Sequence, residues 1–124
     1  MDVNERELVE IVVGAAYEVS NALGCGFLEK VYRRALACEL ETRAVAVQTE
    51  VPFSIHYKNR VVGQYFADLI VDGRLVVELK CVESFANEHL AQCLNYLKAS
   101  GLRTALLINF QRPKVEWRRI VSRF

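Results

Sequence analysis

An α/β (α+β) fold is what this sequence predicts, with helices leading into a three-stranded antiparallel meander and then a further helix and one or two strands. Three observations carry it. The N-terminal third holds two stretches of apolar residues at helical spacing. The middle third is rich in β-branched and aromatic residues in short runs split by turn residues. The C-terminal third returns to a helical pattern and then to an apolar run of strand length.

From Asn4, the apolar residues Leu8, Ile11, Val12, Ala15, Ala16, Val19 and Leu23 recur at helical spacing. Acidic residues in the first turn suit the helix dipole, so a helix is expected to end near Gly24. A second helical pattern runs through Phe27, Leu28, Val31, Tyr32, Ala35, Leu36 and Leu40, leaving Lys30, Arg33 and Glu41 toward solvent, and should stop near Thr42. Three strands follow, Val45 to Tyr57, Val61 to Val71 and Leu75 to Cys81. Lys58-Asn59-Arg60 and Asp72-Gly73 are turn signals of hairpin length and imply an antiparallel meander. A third helix is expected from about Ala86 to Ser100, with Gly101 as its C-cap. Thr104 to Phe110 then reads as a buried strand, and after Pro113 a last edge strand is expected over Val115 to Val121.

At 124 residues, with no repeat, linker or low-complexity stretch, the expectation is one domain over residues 1–124 with a real core. Lys and Arg number 16 against 15 Asp and Glu, so no strong global field draws the chain to nucleic acid or anionic lipid. Polyanion binding must then be local, with Lys30, Arg33 and Arg34, and the run Arg112, Lys114, Arg118, Arg119 and Arg123, as candidate patches. Cys25, Cys38, Cys81 and Cys93 form no CxxC pair and no zinc spacing, and read as reduced, mostly buried thiols. The longest apolar runs fall short of a membrane span and no secretory signal is visible, so a cytoplasmic protein without a membrane partner is expected.

The chemistry lies in the strands. Asp68 interrupts the apolar run Phe66-Ala67-Asp68-Leu69-Ile70-Val71, where an unpaired carboxylate is expensive to desolvate. Ten residues later Glu78 and Lys80 are spaced by two in Val76-Val77-Glu78-Leu79-Lys80, and so share one sheet face. Magnesium prefers hard oxygen ligands, one or two carboxylates with waters and substrate phosphate. Asp68 and Glu78 supply these, the Leu79 carbonyl is a further candidate, and Lys80 is placed to hold the attacking water and neutralise phosphate charge. The bland alternative is an Asp68–Lys80 cross-strand ion pair with Glu78 solvated.

Strand parity makes the site testable. A two-residue Asp72-Gly73 loop sets Asp68 opposite Val77 and sends the two carboxylates to opposite faces, which rules out a shared metal. A three-residue loop, Asp72-Gly73-Arg74, sets Asp68 opposite Glu78. The metal site therefore requires an odd loop or a bulge.

These residues resemble the PD-(D/E)xK nuclease superfamily, specifically the small RecB-like proteins named for a GxxExxY motif. That motif stands here as Gly26-Phe27-Leu28-Glu29-Lys30-Val31-Tyr32. The similarity continues through Asp68-Leu69-Ile70-Val71, Val77-Glu78-Leu79-Lys80, the stretch from His89 to Leu97, and Leu106-Leu107-Ile108-Asn109-Phe110. Ala67 replaces the proline of the superfamily's name.

The resemblance implies a restriction-endonuclease-like core with a mixed sheet and a magnesium- or manganese-dependent site at the meander. It also implies that Glu29 is the acidic residue contributed by the first core helix, although alone it reads as an exposed helical glutamate. Gln92 and Tyr96, four apart on one helix face, resemble the QxxxY element whose side chains organise the site and touch nucleic acid. The structural alternative is that Tyr96 covers the sheet while Gln92 caps its edge. Tyr32 reads as a core tyrosine, His89 as incidental, and His56 receives no role.

The expected function is metal-dependent phosphodiester hydrolysis, in DNA. One alternative keeps the fold as a nucleic-acid- or protein-binding module that does not cut, although a pure binder gains nothing from carboxylates that repel phosphate. Another is a nuclease that needs a homodimer or a partner protein.

Overall fold

The structure is a computed structural model that describes residues 2–122. Its elements run α1 (Glu5–Leu23), α2 (Glu29–Thr42), β1 (Val47–Tyr57), β2 (Arg60–Val71), β3 (Leu75–Lys80), α3 (Asn87–Ser100), β4 (Thr104–Asn109) and β5 (Glu116–Val121). This is the order the sequence predicts. Arg123 of the basic tail run lies outside the described residues.

Local chemistry sets the helix ends. The Asn4 side chain accepts a hydrogen bond from the Glu7 amide at 2.8 Å, which satisfies one of the orphan donors at the start of α1. Gly101 closes α3 in the left-handed region at φ 74, its amide donating to the Leu97 carbonyl. His89 has a structural part here: its Nδ1 accepts the Ala86 amide at 2.9 Å and stands in for a capping side chain at the start of α3.

The five strands form one sheet in the order β1-β2-β3-β4-β5. The first three make the antiparallel meander, β3 and β4 are parallel, and β5 pairs antiparallel with β4. A parallel pair needs a crossover, and α3 is that crossover. The sheet is therefore mixed, as expected.

Strand parity divides the core into two layers. On β3, Leu75, Val77 and Leu79 pack with Leu8, Val12 and Leu36 of α1 and α2. Val76 packs instead with Cys93, Tyr96 and Leu97 of α3. β4, covered on both faces, is buried along its whole length.

Two strands depart from simple alternation. Val47, Leu69 and Val71 join the α1/α2 layer, whereas Val51, Phe53 and Ala67 lie under α3. β1 and β2 thus exchange faces together at Glu50 and Asp68, and Glu50 takes a left-handed φ of 49 there.

Some expectations are corrected. The first hairpin closes on Lys58-Asn59 alone, both at positive φ, with Tyr57 paired to Arg60. Of the cysteines, only Cys93 is buried; Cys25 and Cys38 are exposed and Cys81 is intermediate, and all four are free thiols. Among the described residues no helix is long and apolar enough to cross a membrane.

Candidate active site at the fork of the meander

The β2–β3 connection decides the site. Val71 pairs with Leu75, Ile70 with Val76 and Leu69 with Val77. The loop is therefore Asp72-Gly73-Arg74, three residues long, with Asp72 and Gly73 in the left-handed region at φ 53 and φ 68. The odd loop that parity demands is present. Continued by one step, its register sets Asp68 opposite Glu78.

At that step side chains replace the backbone ladder. The Asp68 amide donates to Glu78 Oε1 at 2.9 Å, and the Leu79 amide donates to Asp68 Oδ2 at 2.8 Å. Each carboxylate thus occupies an amide on the opposite strand, and the pair fills the fork where β2 and β3 part. Removing either acid leaves a backbone donor without its partner.

The two acids differ electrically. Glu78 is buried, and its carboxyl is pushed up to about 8, first by loss of hydration and then by the charge of Asp68; the Asp68 amide and the Lys80 charge oppose the rise. Two carboxylates sharing a low-dielectric fork are a place where added positive charge is strongly favoured.

One cation already stands there. The Arg33 guanidinium, on α2, reaches Asp68 Oδ1 at 3.2 Å and Glu50 Oε1 at 2.8 Å. The expectation that Arg33 faces solvent is overturned: its side chain is 20% exposed, against an exposed Lys30 and Arg34. Its position on α2 is in helical phase with the buried Leu36, Ala37 and Leu40, which was the available signal, but its partners, 17 and 35 residues away, become visible only once the fold is formed. Arg33→Ala is expected to cost about 1–3 kcal/mol in chelator, because a largely buried carboxylate loses its charged donor, and a urea titration reads this directly.

Lys80 and Glu78 lie on the α3 side of β3, sharing parity with Val76. The Asp68–Lys80 ion pair of the bland reading is absent among the described residues, since the carboxylate pairs with Arg33 instead.

Glu29 begins α2, and its Oε1 accepts the Cys81 amide at 3.3 Å, one residue past Lys80. The glycine-rich turn before it is held by Tyr32, whose hydroxyl donates to the Gly24 carbonyl at 2.6 Å and accepts the Phe27 amide at 3.2 Å. Tyr32 is fully buried and stacks on Phe110, so its expected core role holds. Glu29 and Tyr32 of the heptapeptide thus meet the end of β3 and the core respectively.

Gln92 and Tyr96 share one face of α3, the Gln92 amide nitrogen standing 3.5 Å from the Tyr96 hydroxyl. That hydroxyl donates to the Phe66 carbonyl at 2.8 Å, two residues before Asp68. Burial, together with the charges of Glu78 and Asp68, raises the Tyr96 phenol far above its ordinary value, so it remains a donor. A residue the sequence reading left without a role, Asn109, clamps the segment after Lys80. Its side chain bonds both the amide and the carbonyl of Val82, at 3.1 and 2.7 Å. A polar residue ending the apolar run of β4 was the available signal.

Among the described residues, no group of three or more His, Cys, Asp or Glu side chains is gathered as a metal cluster. Asp68 and Glu78 come together; Glu29 stays with Cys81. Two carboxylates with waters still fit magnesium, which commonly takes one or two protein carboxylates.

The comparisons with known proteins bear on the family and the fold. A family model described as the PD-(D/E)XK nuclease superfamily matches residues 6–120. Among solved structures, SSO0001 superposes with a TM-score of 0.62 at 21% identity, over 97% of this chain and 60% of that one. The chain therefore spans about three fifths of that protein's length. An alkaline exonuclease from Laribacter hongkongensis, LHK-Exo, gives a TM-score of 0.52 at 13% identity, covering 86% of this chain and 76% of its own. Its complex with dAMP gives 0.51 at 15% identity, over 92% and 82%. These likenesses show the fold, a restriction-endonuclease-like core. No match was found among curated proteins.

Proposed function

The chain belongs to the PD-(D/E)XK nuclease superfamily, and from that premise we propose that it is a magnesium-dependent nuclease hydrolysing phosphodiester bonds in DNA, with residues 1–124 as one cytoplasmic nuclease domain. The observation that carries this reading is the reciprocal clasp of Asp68 and Glu78 across the fork, with Lys80 two residues beyond Glu78 on the same face. A purely structural acid pair has no need of a second carboxylate beside the first, and hydrophobic residues would fill the fork at lower cost.

In this reading Asp68 and Glu78 hold the divalent ion, with the Leu79 carbonyl and Glu29 as auxiliary donors. When bound, the ion supplies charge stabilisation at a phosphoryl oxygen and a more acidic water. Lys80 orients the attacking water and offsets the charge that grows on the phosphate. Gln92 and Tyr96 fix the position of β2 through the Phe66 carbonyl and present the substrate-facing edge of α3.

Calorimetric titration with magnesium or manganese is expected to show binding that Asp68→Ala or Glu78→Ala removes. Lys80→Ala is expected to bind metal yet fail to cleave a panel of labelled DNA and RNA substrates. Absence of metal binding by the wild-type protein overturns the reading. Cleavage of RNA alone overturns the substrate class.

A further inference from the structure

We propose that the β1–β2 hairpin, with the cleft between it and α3, binds a single-stranded segment of the nucleic-acid substrate; this rests on the nuclease reading and names the form of substrate that the site receives. The distal hairpin, residues 51–67, contains His56, Lys58 and Arg60 and no acidic residue, in a chain whose charges otherwise nearly balance. It also leaves large apolar surface unburied, with Tyr57 62%, Val62 62% and Tyr65 37% exposed. Aromatic faces interleaved with cations are what a strand of unpaired bases needs, since bases stack on the rings while the cations follow the phosphates. Lys58 Nζ already lies 5.4 Å from the centre of the Tyr57 ring, which sets a cation and a stacking face side by side at the tip.

The hairpin forms one wall of a cleft of about 490 Å³, whose lining includes His56 and Tyr65 from the strands and Asn95 and Lys98 from α3. Contacts lead from the lining of this cleft toward the catalytic fork. Tyr65 packs edge-on against Tyr96 at 5.4 Å, and Tyr96 bonds the Phe66 carbonyl, two residues from Asp68. From Arg60 to Asp68, β2 spans about 27 Å at ~3.4 Å per residue, a track running from the tip to the acids.

Part of each of the other basic patches already has partners. Arg33 holds Asp68 and Glu50, Arg112 bonds the Glu83 carbonyl, Arg119 pairs with Glu5, and Arg118 lies 5.9 Å from the centre of the Phe85 ring. A second copy of the chain docked hairpin to hairpin would set Lys58 and Arg60 against the same cations, so charge favours a polyanion over self-pairing.

The test is fluorescence anisotropy in chelator, where no cleavage occurs, with a labelled oligothymidylate and a labelled duplex. The single strand is expected to bind at least about tenfold tighter than the duplex, and Tyr57→Ala and Tyr65→Ala each to weaken it by about fivefold or more. The double variant Lys58→Glu/Arg60→Glu is expected to weaken single-strand binding about tenfold at unchanged melting temperature and to flatten its salt dependence. Unchanged affinity in that folded double variant overturns the proposal, as does preference for duplex. An oligomer that Tyr57→Ala and Tyr65→Ala dissociate, with nucleic-acid affinity intact, overturns it in favour of a protein interface. Retained hairpin-dependent binding in a protein that never cleaves with metal refutes the nuclease reading alone, whereas cleavage without hairpin-dependent binding refutes this one alone.

Discussion

Glu78→Gln is expected to lower phosphodiester cleavage by on the order of a thousandfold, the loss typical of removing one preorganised electrostatic group from an active site. The same substitution is expected to leave the fold intact and to stabilise it at alkaline pH. The amide oxygen of glutamine still accepts the Asp68 amide that Glu78 Oε1 accepts at 2.9 Å, so the fork keeps its hydrogen bond and loses only the charge. A variant that folds, melts higher and does not cut separates the electrostatic role of Glu78 from its structural one. Full activity in Glu78→Gln removes the carboxylate from the catalytic machinery.

The pH dependence follows from the same residue. Burial and the neighbouring Asp68 raise the Glu78 carboxyl from its ordinary 4.5 to about 8, so between those values the folded chain retains a proton that the unfolded chain has released. The contribution is fully present below pH 4.5 and is lost as pH rises through about 8. One such group limits the slope to about 1.4 kcal/mol per pH unit, and the melting temperature in chelator should fall across this window in the wild type. Glutamine carries no titrating proton, and its curve should be flatter. Parallel curves for the two proteins contradict the assignment.

Much of this site was legible because period-two alternation is rigid. Asp68, Glu78 and Lys80 stood out as charges in apolar runs, and parity alone required the three-residue loop that Asp72-Gly73-Arg74 forms. The order of elements followed from hydrophobic period and turn residues, which act locally. Features made by distant contacts were not legible. Arg33 is in helical phase with the buried Leu36, Ala37 and Leu40, yet only the approach of α2 to the strand fork makes it the partner of Asp68. The joint change of face in β1 and β2 at Glu50 and Asp68 also escapes a period-two reading, which assumes that each strand keeps its faces throughout. Cysteine burial depends on which faces and turns the fold covers, and composition does not fix that.

Tyr32→Ala is expected to destabilise the protein by about 3–5 kcal/mol, the range for deleting a buried aromatic ring. The ring is fully buried, lies parallel to Phe110 at 4.7 Å and meets Phe27 edge-on at 6.2 Å, so its removal opens the α1/α2 layer beside β4. Tyr32→Phe keeps the stack and deletes only the hydroxyl, at an expected cost of about 1 kcal/mol, because Gly24 and Phe27 lie in an exposed turn where water replaces the lost partner. The two variants therefore separate core packing from loop geometry. If the hydroxyl serves to hold the turn that presents Glu29 to the end of β3, Tyr32→Phe should speed amide exchange at Phe27 while leaving β4 protected. Urea unfolding together with site-resolved hydrogen exchange checks both outcomes. Equal losses in the two variants place the whole value of Tyr32 in its hydroxyl. Unchanged exchange at Phe27 in Tyr32→Phe leaves the motif tyrosine as a core residue whose contribution to positioning Glu29 comes from packing alone.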